Sequence, residues 1–116
     1  MYQLKRRPIF VAMKLENESV FVAKLTTLGR KTGQRRTVEL RLVYTNDRFY
    51  ASTGRVEGKH WCQNMIKNPA VEISVGSECF YCTANQVTDD TLRHRILTLR
   101  DSPALLDRVV FEMTPR

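Results

Sequence analysis

The residues best suited to chemistry lie in one run, Gly29-Arg30-Lys31-Thr32-Gly33-Gln34-Arg35-Arg36-Thr37. Its two glycines permit turns that other residues resist, so backbone N–H groups there can converge on an anion. Arg36 offers a planar fork that matches phosphate oxygens, and Lys31 adds a flexible point charge. Thr32 and Thr37 supply hydroxyls. This chemistry is the grip on an anion, not the breaking of a bond. The chain contains no Ser/His/Asp set and no paired carboxylates, which counts against a hydrolase.

The cysteines and histidines predict no metal centre. Cys79 and Cys82 form a C-x-x-C, but they lie in Glu78-Cys79-Phe80-Tyr81-Cys82-Thr83, a β-branched and aromatic run that reads as a strand. Residues three apart on a strand face opposite ways, so the two sulfurs diverge, and no second ligand pair completes a site. His60 and His94 are far apart and lack ligand spacing. Three cysteines, with Cys62, are too few for a secreted disulfide scaffold.

The elements that must hold the basic run are mostly strands. Val20 to Thr27 is rich in β-formers. From Thr37 to Tyr44 the pattern alternates, with Val38, Leu40, Leu42 and Tyr44 on one face and Glu39 and Arg41 on the other. Thr45-Asn46-Asp47 signals a turn into a third strand, Arg48 to Ser52. Lys59 to Lys67 reads as a short helix stopped by Asn68-Pro69. Val71 to Val75 and Glu78 to Val87 flank a tight Gly76-Ser77 hairpin. A helix opens at Thr88-Asp89-Asp90 and carries a core stripe of Leu92, Ile96 and Leu99. Ser102-Pro103 opens one further short turn, and Val109 to Met113 is the last strand. Residues 1–19 stay ambiguous between a short helix and an edge strand. The fold predicted is mainly β with two or three short helices. Its six short antiparallel strands manage their edges by closing into a small barrel.

Length and charge set the frame. At 116 residues the chain fits a single domain spanning 1–116, and 42% hydrophobic with 27% charged residues argues against disorder. No run reaches the roughly 18 apolar residues of a membrane span, and no signal-peptide pattern is present, so the expected location is the cytoplasm. Residues 1–41 hold ten of the bases and three of the acids, which is the whole +7 excess; the remainder carries nine of each sign. So local an excess points to an anionic partner: nucleic acid, a phosphorylated cofactor or an acidic lipid surface.

The segment Leu25-Thr26-Thr27-Leu28-Gly29-Arg30-Lys31-Thr32-Gly33-Gln34-Arg35-Arg36-Thr37 resembles the opening signature of the deazaflavin (F420)-dependent nitroreductase family, within the FMN-binding split-barrel superfamily. That signature reads Thr-Thr-x-Gly-Arg-Lys-Ser/Thr-Gly-Gln-x-Arg. Downstream, Ser52-Thr53-Gly54, then Trp61 with Asn64, and Asn68-Pro69 follow in the family's order. The resemblance implies a split β-barrel that holds coenzyme F420 or FMN and transfers hydride to a small organic substrate. It implies that Lys31, Arg36 and Arg30 hold the cofactor phosphate, within a loop completed by Thr32, Gly33 and Thr37. It further implies that Ser52, Thr53 and Gly54 approach ring and phosphate through backbone amides, and that Trp61 walls the site. Thr53 stands where F420-binding members often carry lysine, and Arg55 is the substitute two positions on. Relatives commonly pair, which implies a homodimer. No catalytic side chain is assigned, because in such enzymes the ring carries the hydride and the protein positions it.

Two other readings compete. One is a split barrel that carries a flavin or tetrapyrrole without turnover. The other is a small basic barrel that binds nucleic acid, stacking bases on Tyr44 and Phe49. Residues 22–43 contain no aromatic side chain, which disfavours the latter.

Overall fold

In the computed structural model, the described residues are 15–54, 59–100 and 108–116. The strands are β1 (Ser19–Leu28), β2 (Arg35–Thr45), β3 (Arg48–Thr53), β4 (Ala70–Val75), β5 (Glu78–Gln86) and β6 (Val109–Pro115); the helices are α1 (His60–Lys67) and α2 (Asp90–Leu99). The predicted turn at Ser102-Pro103, most of residues 1–19 and Arg55 lie outside the described residues.

Every strand pairs antiparallel with two neighbours, and the ring closes in the order β1-β2-β3-β6-β5-β4. Short connections explain the antiparallel sense. Asn46 and Asp47 both adopt left-handed backbone (φ 55° and 60°), the geometry that lets a two-residue turn follow the twist of β2 into β3. Closure is partial at two seams: β1 meets β4 only over Lys24–Thr26, and β2 meets β3 only over Val43–Thr45.

Strand alternation divides the side chains into two cores. Leu25, Leu42, Phe49, Ala51, Ile73, Cys82, Phe111 and Met113 fill the barrel interior. Val43, Tyr50, Val87 and Val110 face outward and are covered by Ile96 and Leu97 of α2, with Leu92 and Leu99 at the margin. The predicted Leu92/Ile96/Leu99 stripe is therefore core packing, as expected. Asp89 caps α2, its side chain accepting the Thr91 amide at 3.1 Å.

The short helix α1 lies across one end of the barrel. Cys62 and Met65 bury into the interior core, Trp61 packs edge-on against Phe111 at 6.2 Å between ring centres, and Ile66 faces solvent. The chain leaves the helix at Asn68, whose amide donates to the Asn64 carbonyl at 2.7 Å.

Candidate functional site

The basic run joins β1 to β2 at the end of the barrel that α1 covers. Gly33 has φ +73°, a backbone conformation that side chains resist, and its amide donates to the Gly29 carbonyl at 2.8 Å. Gly29 is pressed from the other side. A Cβ there would stand 3.0 Å from Thr32 Oγ1, and its amide donates to the Gln34 carbonyl at 2.7 Å. The Gln34 amide in turn donates to Thr32 Oγ1 at 3.2 Å. The loop thus spends these amides on itself. The sequence predicts turns whose backbone N–H groups can point inward at an anion; of those groups, the two glycine amides are taken up within the loop. The amides of Gly29 and Gly33 close the turn.

Parity along β2 sorts its side chains. Arg36 pairs with Thr27 and Val38 with Leu25, and both partners point into the barrel, so Arg36 stands on the interior side at the rim. Arg35 points the other way and forms a two-pronged ion pair with Glu72 at 2.5 and 3.1 Å. On that outer face Thr37 Oγ1 shares a hydrogen bond with Thr26 Oγ1 at 2.8 Å.

Asn64 ties the loop to α1. It is 3% exposed. Its Oδ1 accepts the Arg30 amide at 3.2 Å and Arg30 Nη1 at 3.1 Å, while its Nδ2 donates to Thr27 Oγ1 at 3.2 Å. The Arg30 guanidinium also reaches His60, with Nη1 and Nη2 at 3.5 and 3.4 Å from Nδ1. Arginine only donates, so in this contact His60 Nδ1 is the acceptor. Arg30 therefore serves as a staple between loop and helix.

These parts enclose a groove of about 680 Å³, lined by Thr27, Gly29, Arg30, Lys31, Thr32, Arg35, Arg36, Thr37, Val38, His60, Trp61 and Asn64. That volume falls in the range of small-molecule sites. Among the described residues, no acidic side chain lines it. Arg35 is matched by Glu72 and Arg30 by Asn64 and His60, whereas Lys31 and Arg36 have no ion pair or side-chain hydrogen bond among the described residues. Two uncompensated cations at the mouth of a groove with an indole wall are a donor set that fits a phosphate carried on a flat ring.

Of the residues singled out in the sequence, Arg30, Lys31, Thr32, Arg36, Thr37 and Trp61 meet in this groove. Gly33 shapes its loop from outside the lining. Ser52, Thr53 and Gly54 do not line it. Ser52 pairs with Val110 and so shares the outward face beneath α2, while Thr53 is buried. His60 and Thr27 are lining residues that sequence reasoning did not single out. The first carried no motif; the second stood inside the signature as an ordinary strand residue.

Other features are structural. Cys79 is exposed and Cys82 buried, on opposite faces as expected. No metal-binding group of His, Cys, Asp and Glu exists among the described residues. Burial pushes the Cys62 and Cys82 thiols up to about 12, far from a reactive thiolate. Phe49 is fully buried and packs on Tyr44 at 5.0 Å, so this pair cannot stack exposed bases. Among the described residues no helix is long and apolar enough to cross a membrane.

Known proteins agree with this architecture. The family model for F420H(2)-dependent quinone reductase matches residues 6–107. Among solved structures, an F420-H2 dependent reductase (FDR-A) is 23% identical with a TM-score of 0.59, covering 79% of this chain and 92% of its own. An FAD-binding protein from Mesorhizobium loti is 18% identical with a TM-score of 0.64, covering 82% and 80%. A domain-swapped dimer is 24% identical with a TM-score of 0.63, covering 79% and 78%. These likenesses establish the fold.

Proposed function

The chain belongs to the F420H(2)-dependent quinone reductase family, and from that premise we propose that the groove beside residues 29–37 holds the phosphate end of coenzyme F420 and admits a quinone. The protein is an oxidoreductase with an F420 or flavin cofactor. The finer reading, F420 over FMN and a quinone as acceptor, rests on the family. When bound, such a cofactor supplies the hydride that, with one proton, converts a quinone to a hydroquinone.

The chain's own part is binding and orientation. Lys31 and Arg36 neutralise the phosphate, and Asn64 holds the loop so that both stay at the rim. Trp61 gives a flat apolar wall, and His60 presents a polar lip beside it. Water leaves the groove as a flat ring enters, which strengthens the charge contacts. We also place the protein in the cytoplasm, because its three cysteines are free thiols. We propose a homodimer as well, because Val20 and Val22 expose apolar surface on the outer wall of β1.

The observation that carries the reading is the pair of cations, Lys31 and Arg36, which among the described residues have no ion pair and line a groove without an acidic side chain. Its test is a parallel fluorescence titration of F420 and FMN against the Lys31→Ala/Arg36→Ala variant. Affinity for the phosphorylated cofactor should fall tenfold or more, about 1.5–3 kcal/mol for charge-assisted contacts. Unchanged affinity in the double variant removes the phosphate assignment.

A further inference from the structure

A second basic cluster lies on the barrel's outer wall, away from the groove. Arg41 on β2, Arg100 at the C-terminal cap of α2 and Arg108 just before β6 belong to it. Parity separates this cluster from the groove: Val38, Leu40 and Leu42 belong to the interior core, whereas Arg41 shares the outward face of β2 with Val43. Ser52 faces the same way, because its pairing partner Val110 is part of the patch beneath α2. Arg108 spans from β6 toward the end of β3, its Nη1 lying 4.0 Å from where a Cβ on Gly54 would stand.

Two observations mark this spot as unfinished. Ser52 Oγ and Arg108 Nε are both buried, and neither has a hydrogen-bond partner among the described residues. In addition, no carboxylate among the described residues pairs with Arg41 or Arg108. Burial, with the Arg108 and Arg41 charges added, holds the Arg100 guanidinium below its ordinary range, which places the three side chains within electrostatic reach.

We propose that Arg41, Arg108 and Ser52, under the charge of Arg100, form a second site for a small oxyanion, a phosphate or carboxylate group. Ser52 Oγ–H and Arg108 Nε–H donate to it, and Arg41 closes it from β2. This site is independent of the reading given to the groove. Its anion is either free in solution or carried on the acidic end of a bound cofactor.

The test is thermal unfolding with inorganic phosphate, against chloride at equal ionic strength, in the Lys31→Ala/Arg36→Ala background. That background disarms the groove, so failure of the groove assignment does not touch the result. Phosphate is expected to raise Tm there, and adding Arg41→Gln and Arg108→Gln is expected to abolish the rise. Without phosphate and at low salt, the same two substitutions should raise Tm, because they relieve repulsion among like charges. Ser52→Ala, which leaves the charges in place, should weaken phosphate binding several-fold. The source of the anion follows from titrating Arg41→Gln/Arg108→Gln with F420, which has an acidic tail, and with FMN, which has none. Weakened binding of F420 alone assigns the site to the tail, and unchanged binding of both assigns it to a free anion. Three results overturn the site: no phosphate-specific rise in the disarmed background, a rise that survives Arg41→Gln/Arg108→Gln, or a fall in Tm at low salt on making those substitutions. The last would mean that acids near in sequence, Asp101 and Asp107, already neutralise the cluster.

Discussion

The two helices dock on the same barrel by different physics. Helix α2 covers the outward patch of Val43, Tyr50, Val87 and Val110 with Ile96 and Leu97, both essentially inaccessible, and its polar ties, Arg93 to the Arg108 carbonyl at 2.6 Å and Arg95 to Glu18, lie outside that apolar contact. Helix α1 also buries apolar groups, Cys62 and Met65, but between them it buries Asn64, whose amide is committed to Arg30 and Thr27. Apolar contact holds a helix in place without caring much about its exact register, since the hydrophobic effect has no direction. A buried amide does care, because each lost hydrogen bond leaves a polar group stranded. Helix α2 therefore stabilises the barrel, and α1 positions the loop.

The largest effect expected is at α2. Ile96→Ala removes a fully buried side chain from the outward core and should cost about 2–5 kcal/mol in denaturant unfolding. Cofactor affinity, measured where the variant is folded, should stay at the wild-type value. A matching loss of affinity would show that α2 shapes the groove and would erase the distinction between the helices.

Asn64→Leu probes the other side of the comparison. It keeps an approximate volume but strands the Arg30 amide and Thr27 Oγ1, at a cost of about 1–3 kcal/mol. Its distinguishing signature is a cofactor affinity reduced about tenfold, because Lys31 sits on the loop that Asn64 anchors. Wild-type affinity in a destabilised Asn64→Leu protein would mean that the bonds between Gly29, Gly33 and Gln34 order the loop unaided.

Why the sequence made some of this legible and hid the rest follows from the range of the forces involved. Strands, turns and the stripe of α2 are written in local alternation and in residues such as Asn46-Asp47, which tolerate left-handed backbone. The opposite facing of Arg35 and Arg36 is also local, since neighbours on a strand face opposite sides. What stayed hidden depends on partners far along the chain. Arg30 looked like a phosphate ligand because its tether, Asn64, is 34 residues away. The glycine amides looked free because only the folded loop reveals that their acceptors are Gln34 and Gly29 themselves. Ser52 belonged to a motif through its place in the sequence, yet its side chain follows Val110 to the opposite side of the wall.

The smallest effect separates the two adjacent arginines of β2. Arg35→Gln breaks an exposed ion pair, and such pairs contribute little to stability. The pair still leaves a pH signature. Hydrogen bonding from Arg35 holds the Glu72 carboxyl below its ordinary 4.5 in the folded protein. A group with a depressed folded pKa stabilises fully above its unfolded value and loses that contribution as pH falls through the folded one. The Tm difference between wild type and Arg35→Gln should therefore be greatest near neutrality, shrink below pH 4.5 and vanish once Glu72 is protonated in both states. Cofactor affinity should hold, because Arg35 is already matched. Arg36→Gln should do the reverse, leaving Tm unchanged and weakening the cofactor. If both variants weakened cofactor equally, parity along β2 would not be what selects the phosphate ligand, and the groove would act as a diffuse field of positive charge.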